Sequence, residues 1–230
     1  EVIAGFVAAA DAAPEALNAI GNLIPGSFLP FLPEEVNSQR ILLAMTVFAY
    51  LSPWPSVWLL RLVFDNQARE TVAEMNKYAP TEGITSTLDV QYADGGTNTQ
   101  FDIFSPSDSN GPLPTVIWVH GGAWVSGDKE IRDPYARILA AQGYTVASLN
   151  YTVAPDAIYP TAITELTEAL GYIVEHAEEL RVDPTRIVLA GDSAGGQLVS
   201  QLATMITNEA YASEVGVEPT LEGLRRGRWR

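Results

Sequence analysis

The sequence predicts an α/β fold, a mostly parallel sheet with helices on both faces and an antiparallel hairpin at one edge. Three observations predict it. From residue 114 onward, apolar β-branched runs alternate with longer stretches of helical period, and strands that alternate with helices pair in parallel through right-handed crossovers. Just before them, STLDVQY (86–92) and TQFDIF (99–104) alternate polar and apolar residues around ADGG, a hairpin signal. Finally, 47% of the 230 residues are apolar and 18% are charged, which supplies a sizeable core for one large domain or two small ones and excludes global disorder.

Taken in order, residues 1–80 read as an apolar N-terminal cap or membrane-associated segment, punctuated by proline and glycine. The run from Ile41 to Leu60 is uncharged and flanked by Arg40 and Arg61. Its length could just span a bilayer, but Pro53 and Pro55 interrupt it, while Trp54 and Trp58 suit a membrane interface. The expectation is either a pair of short apolar helices or a membrane contact, so the localisation stays between cytoplasmic and membrane-associated. A short polar helix is expected over 69–78, ending before Pro80. Residues 81–224 then carry the α/β pattern. After the hairpin, PTVIWVHGG reads as a strand buried on both faces. A helix over 131–142 closes at Gly143. YTVASLNY is the next strand, 161–180 a long helix, RIVLAG a further buried strand, and 194–206 a helix. Residues 225–230, RGRWR with the arginine before it, look foreign to this pattern: a basic tail on a chain of net charge −15.

That charge repels phosphate backbones and sets nucleic acid aside as a partner. With no cysteine, disulfides, zinc–thiolate sites and thiol nucleophiles are excluded. The chemistry points instead to LAGDSAGGQL, where Ser193 stands between Gly191 and Gly195 at a strand-to-helix junction. G-x-S-x-G in that setting is a nucleophile elbow, whose sharp turn demands small neighbours. The elbow aims the N–H of Ala194 at a substrate oxygen. HGGAW (120–124) follows a buried strand, and its consecutive glycines let the amides of Gly121 and Gly122 serve as further oxyanion donors. Asp192 is expected to be a hydrogen bonder within the loop, and Asp183 a turn or cap residue.

Together, VIWVHGGAWVSGDK, LNYTVAPDAIYP and LRVDPTRIVLAGDSAGG resemble the hormone-sensitive-lipase-like branch of the α/β hydrolases, which are carboxylesterases and lipases. The resemblance covers about 114–207, with weaker likeness from Thr81. It implies the α/β-hydrolase fold and a serine carboxylic-ester hydrolase acting through an acyl-enzyme on Ser193. The oxyanion would be held by Gly121, Gly122 and Ala194, and a small-molecule ester would be the substrate, with no cofactor or metal. It also implies that His120 orients the oxyanion loop. The family pattern is usually HGGG, and here Ala123 takes the third glycine's place.

The elbow raises the question of its base. The sequence has two histidines, His120 and His176, and both precede Ser193. In this fold the triad runs serine, acid, histidine along the chain. His176, on the long helix, reads as a surface residue. The expectation is therefore a chain truncated after the elbow helix, its catalytic acid and base absent and its activity lost. RIVLAG, normally central, would become an edge prone to aggregation. The alternative is a non-catalytic small-molecule-binding protein on the same scaffold. A peptidase of the same fold is a lesser third reading, since no added recognition domain is visible.

Overall fold

The computed structural model describes residues 50–216. The apolar run before Tyr50 and the tail 225–230 lie outside them. The chain divides into two compact units, Glu1–Ser56 and Val57–Arg230. The elements are α1 (Trp54–Met75), β1 (Ile84–Gln91), β2 (Gln100–Pro106), β3 (Leu113–Val119), α2 (Asp133–Ala140), β4 (Thr145–Leu149), α3 (Thr161–Glu175), β5 (Val182–Gly191), α4 (Ala194–Thr207) and α5 (Glu209–Val215). Short 3₁₀ turns precede β2 and α2.

The sheet order is β1-β2-β4-β3-β5. β1 and β2 form the expected antiparallel hairpin, β2 runs antiparallel to β4, and β3 pairs in parallel with both β4 and β5. Strand alternation divides the core into two layers. Ile103, Ile117, Val119, Ala147 and Leu149 face a large cluster with Ile163, Leu166 and Leu170 of α3 and Leu198 and Leu202 of α4. Phe104, Val116 and Val146 face a smaller one with Ala136 and Ala140 of α2. Helices therefore cover both faces. The helix after β3 lies on one side and the helix after β5 on the other, so the carboxyl ends of these neighbouring strands make a topological switch point, where open α/β sheets bind ligands.

Two boundaries differ from the sequence expectation. The polar helix expected over 69–78 begins at Trp54 and ends at Met75. Pro55 does not break it, because a proline in the first turn gives up only an N–H that has no helical acceptor there. Trp54 to Leu60, the end of the uncharged run, thus opens α1, and Trp58 and Leu59 are exposed. Among the described residues no helix is long and apolar enough to cross a membrane. α1 is bonded to loops of the α/β unit through Arg61 and Asp65. The helix expected over 161–180 stops at Glu175, and turns carry the chain through Arg181, whose φ is +56°, into β5.

β5 is longer than RIVLAG. Its first half bulges between the pairs Leu113↔Val182 and Thr115↔Ile187. Asp183 closes that bulge as a turn residue, its Oδ1 accepting from the amide (2.9 Å) and hydroxyl (2.7 Å) of Thr185. Those bonds and Arg186 hold its carboxyl below the usual carboxylate range. No strand among the described residues pairs with the outer edge of β5, and Val188 there is 55% exposed.

Among the described residues, one buried side-chain atom is unsatisfied. Asp133 opens α2, and its Oδ1 is buried with no hydrogen-bond partner. Burial and then the charge of Asp102 push its carboxyl up from 3.8 to about 7, against the pull of Lys129 and Arg137. A raised acid holds its proton more tightly when folded. The stability it confers is full below pH 3.8 and is lost as pH rises to about 7. Asp133→Asn is therefore expected to leave the melting temperature unchanged at pH 4 and to stabilise the protein progressively up to pH 8, by about 2 kcal/mol after solvent screening. Thermal melts across that range check it.

Candidate active site

The register of β3 and β5 builds the site. Val119 lies opposite Gly191, so His120 and Gly121 leave β3 beside Asp192 and Ser193 leaving β5. A Cβ on Gly121 would stand 2.7 Å from the Asp192 carbonyl oxygen and 3.2 Å from the Ser193 Cβ. Only glycine lets the two turns approach this closely.

Ser193 has φ +51° and ψ −118°, a strained conformation for a residue with a side chain. Local bonds hold it: Gly195 N–H donates to the Asp192 carbonyl (2.9 Å) and Gln197 N–H to the Ser193 carbonyl (3.1 Å). A Cβ on Gly191 would meet the Gly195 carbonyl carbon at 2.6 Å, so the motif's glycines are needed where helix and strand touch. Ser193 is exposed at the end of the sheet and Ala194 begins α4. The Ala194 N–H is one of those a helix start leaves without an intrahelical acceptor.

The facing loop turns at Gly122, with φ +122°. The amides of Val125 and Ser126 both donate to its carbonyl at 3.0 Å. Ala123 and Trp124 follow in the left-handed region, at φ +54° and +58°. Ala123 thus holds a left-handed backbone that a glycine would adopt without strain.

Contacts from outside the motif hold this loop, and sequence reading missed them. Arg61 of α1 donates from Nε to the Val125 carbonyl (2.6 Å) and from Nη2 to the Ala154 carbonyl (3.2 Å). Ser126 Oγ donates to Asp65 Oδ1 (2.7 Å), and Ala154 N–H donates to the Trp124 carbonyl (2.7 Å). These bonds join positions about thirty, sixty or ninety residues apart, so no local pattern announces them.

His120 is buried, its ring stacked on Tyr151 with centroids 4.4 Å apart. Its Nδ1 bonds the Gly121 carbonyl oxygen (2.8 Å), and the Tyr151 hydroxyl donates to the His120 carbonyl (3.0 Å). Burial lowers its basicity, which favours the neutral ring. Asp192 accepts from Trp118 Nε1 (3.2 Å) and forms an ion pair with Arg132 (2.6 Å). Arg132 is a second residue the sequence did not single out. His176 lies just beyond α3, at the opposite end of β5 from Ser193, half-buried rather than a freely solvated surface residue, and stacked on Tyr172. Neither histidine has a hydrogen bond to Ser193 Oγ. Among the described residues there is no group of three histidines and carboxylates able to hold a metal.

The BD-FAE family profile matches residues 101–222, more than half of the chain, including both the elbow and the facing glycine turn. Carboxylesterase NlhH of Mycobacterium tuberculosis is 37% identical over 127 residues, 55% of this chain and 38% of that protein. Lipase 2 of Moraxella sp. (strain TA144) is 33% identical over 118 residues, 46% of this chain and 27% of that one. Among solved structures, the metagenomic carboxylesterase EstE1 superposes with a TM-score of 0.55 at 30% identity, covering 69% of this chain and 52% of that one. A bacterial heroin esterase gives 0.54 at 28%, covering 65% and 47%. The chain thus spans well under half the length of these curated relatives. With the elbow and the facing glycine turn inside the matched region, the chain belongs to the BD-FAE family, among the hormone-sensitive-lipase-like esterases of the α/β-hydrolase fold.

Proposed function

We propose that this chain carries the nucleophile and oxyanion hole of a serine carboxylic-ester hydrolase acting on small-molecule esters. The observation that carries the reading is Ser193, strained at +51° and exposed, with the Gly121 turn packed against it. Ser193 Oγ attacks the ester carbonyl carbon and the carbonyl oxygen becomes an oxyanion. The amides of Gly121, Gly122 and Ala194 stabilise that charge as it develops. The alcohol leaves with a proton, giving an acyl-enzyme, and water releases the acid. His120 positions the turn through its bond to the Gly121 carbonyl, and Asp192 fixes the elbow through Arg132 and Trp118.

The base that takes the Ser193 proton is neither histidine of this sequence. His120 is bonded to the Gly121 carbonyl and His176 to the Tyr172 carbonyl (2.9 Å). We therefore expect the 230-residue chain to have its nucleophile in place but poorly activated. A base-deprived serine keeps only a residual rate, on the order of 10³–10⁴-fold over water.

An alkyl 4-nitrophenyl phosphonate tests this by intact-mass analysis. The expected result is one slow adduct, mapped to Ser193, absent in Ser193→Ala and accelerated by added imidazole. An adduct elsewhere, or equal labelling of Ser193→Ala, overturns the reading. The same commitment of both histidines favours a second reading, a non-catalytic binder on this scaffold. It predicts saturable ester binding with no adduct even with imidazole.

A further inference from the structure

We propose that Gln201 is a positioning residue whose amide holds the Tyr159 ring as a wall of an apolar cavity beside Ser193. It thereby sets the length of the uncharged ester arm the cavity accepts. This rests on the ester-hydrolase reading and names the substrate feature that the site selects.

The cavity is about 610 Å³ and lies between the Trp124 turn, the 151–163 segment and the first turns of α4. Gln197, whose amide donates to the Ser193 carbonyl, lines it one turn beyond the nucleophile. Leu198, Ile158 and Ile163 make its walls largely apolar. No lysine, arginine or histidine lines it. Behind Thr152, the Glu165 carboxylate accepts from that residue's amide (2.6 Å) and hydroxyl (2.7 Å). An anionic arm would find no cation among the lining residues and a carboxylate behind Thr152, so the cavity suits an uncharged one.

Gln201 stands out on α4. The other buried positions of that helix are alanine, glycine, leucine, valine, methionine and isoleucine. A buried amide needs a partner. Gln201, 8% exposed, donates from Nε2 to the Tyr159 hydroxyl oxygen at 2.8 Å. Tyr159 itself is 65% exposed. A ring so exposed, on a loop, would sample several rotamers. The bond from the rigid helix selects the one that lines the cavity.

The arm is either the acyl chain or the alcohol group, and two ligand ladders distinguish them. Methyl butanoate to methyl octanoate lengthens the acyl side, and butyl to octyl acetate lengthens the alcohol side. Dissociation constants are read by ligand-observed NMR on the 230-residue chain. One ladder should tighten about fourfold per methylene until a length at which the gain stops. Gln201→Ala and Tyr159→Phe remove the same hydrogen bond and should both move that limit to longer arms. Tyr159→Ala should move it further, and adding Gln201→Ala to it should change nothing more. A merely structural glutamine would change stability without moving the limit. An unmoved limit in both Gln201→Ala and Tyr159→Phe, with native circular dichroism, overturns the proposal. So does the absence of binding by either ladder. Ser193→Ala should bind both ladders as wild type does. Failed phosphonate labelling with intact ladders therefore sinks the catalytic reading alone.

Discussion

Replacing Lys129 by methionine is expected to destabilise the protein by about 3–5 kcal/mol, a drop of roughly 10 °C in melting temperature. Lys129 is 3% exposed, and its ammonium bonds Asp102 (2.9 Å) and Asp89 (2.8 Å). Asp102 lies within β2 and is 1% exposed. Burial alone would pull the lysine down, but its bonds to the two carboxylates outweigh that and hold it above the usual lysine range. The backbone follows the charge. A bulge in β1 places Asp89 at φ +57°, and its amide donates to the other Asp102 oxygen (2.8 Å). The Lys129 amide and carbonyl are in turn bonded to Asn150 (2.6 Å) and Ser148 (2.9 Å). The ion pair thus pins the end of the loop that begins at His120. Methionine fills the lysine's volume but leaves the buried Asp102 carboxyl without its cation, and that loss of compensation is the main cost. The double variant Lys129→Met/Asp102→Asn should recover most of the loss. Melts of the wild type, both single variants and the double variant close the cycle. A single Lys129→Met variant as stable as wild type would mean that the pair contributes nothing.

What the sequence made legible was whatever is local. The hairpin showed because its strands flank a glycine turn. β3 and β4 showed because strands buried on both faces are continuous apolar runs; β5 showed as the same kind of run, although it is not buried on both faces and Val188 on it is exposed. The elbow showed because Gly191, Ser193 and Gly195 fall within five consecutive residues, and the register of β3 against β5 then brought Gly121 to it. What stayed hidden depends on pairs far apart in the chain. Arg61 with Val125, Arg132 with Asp192, Lys129 with Asp102, and Gln201 with Tyr159 are single polar residues whose meaning lies in a partner that only folding brings near. The start of α1 was misread for a physical reason. Prolines at 53 and 55 look like breakers until the second is seen in the first turn of a helix, where proline is tolerated. The end of α3 was misread because apolar periodicity continues past Glu175 into turns that pack on the same core.

Two neighbouring glycines in the elbow should respond in opposite ways to the same added methyl. Gly195→Ala is expected to cost about 3 kcal/mol or more, or to leave no folded protein. Its Cβ would fall on the Val119 carbonyl oxygen, with the His120 carbonyl oxygen at 2.6 Å and carbon at 2.8 Å. All three are backbone atoms where β3 ends, so no side chain can rotate away. Relief requires α4 to lift off β3, which would part Ser193 from the Gly121 turn. Gly196→Ala adds the same methyl one residue on. Its nearest neighbour would be the Gly191 carbonyl oxygen at 3.2 Å, with the next atom at 3.7 Å. A shift of a few tenths of an ångström suffices there. Alanine also gains up to about 1 kcal/mol over glycine inside a helix, so Gly196→Ala should be near neutral. Helix propensity alone would make both substitutions stabilising, and general intolerance of the motif would make both damaging. Only close packing of α4 on the end of β3 separates them. Thermal melts read the stability, and phosphonate labelling of Ser193 reads the geometry. Gly196→Ala should keep both and Gly195→Ala should lose both. Equal behaviour of the two variants would mean that helix and strand are not in the contact that places Ser193 beside the oxyanion turn.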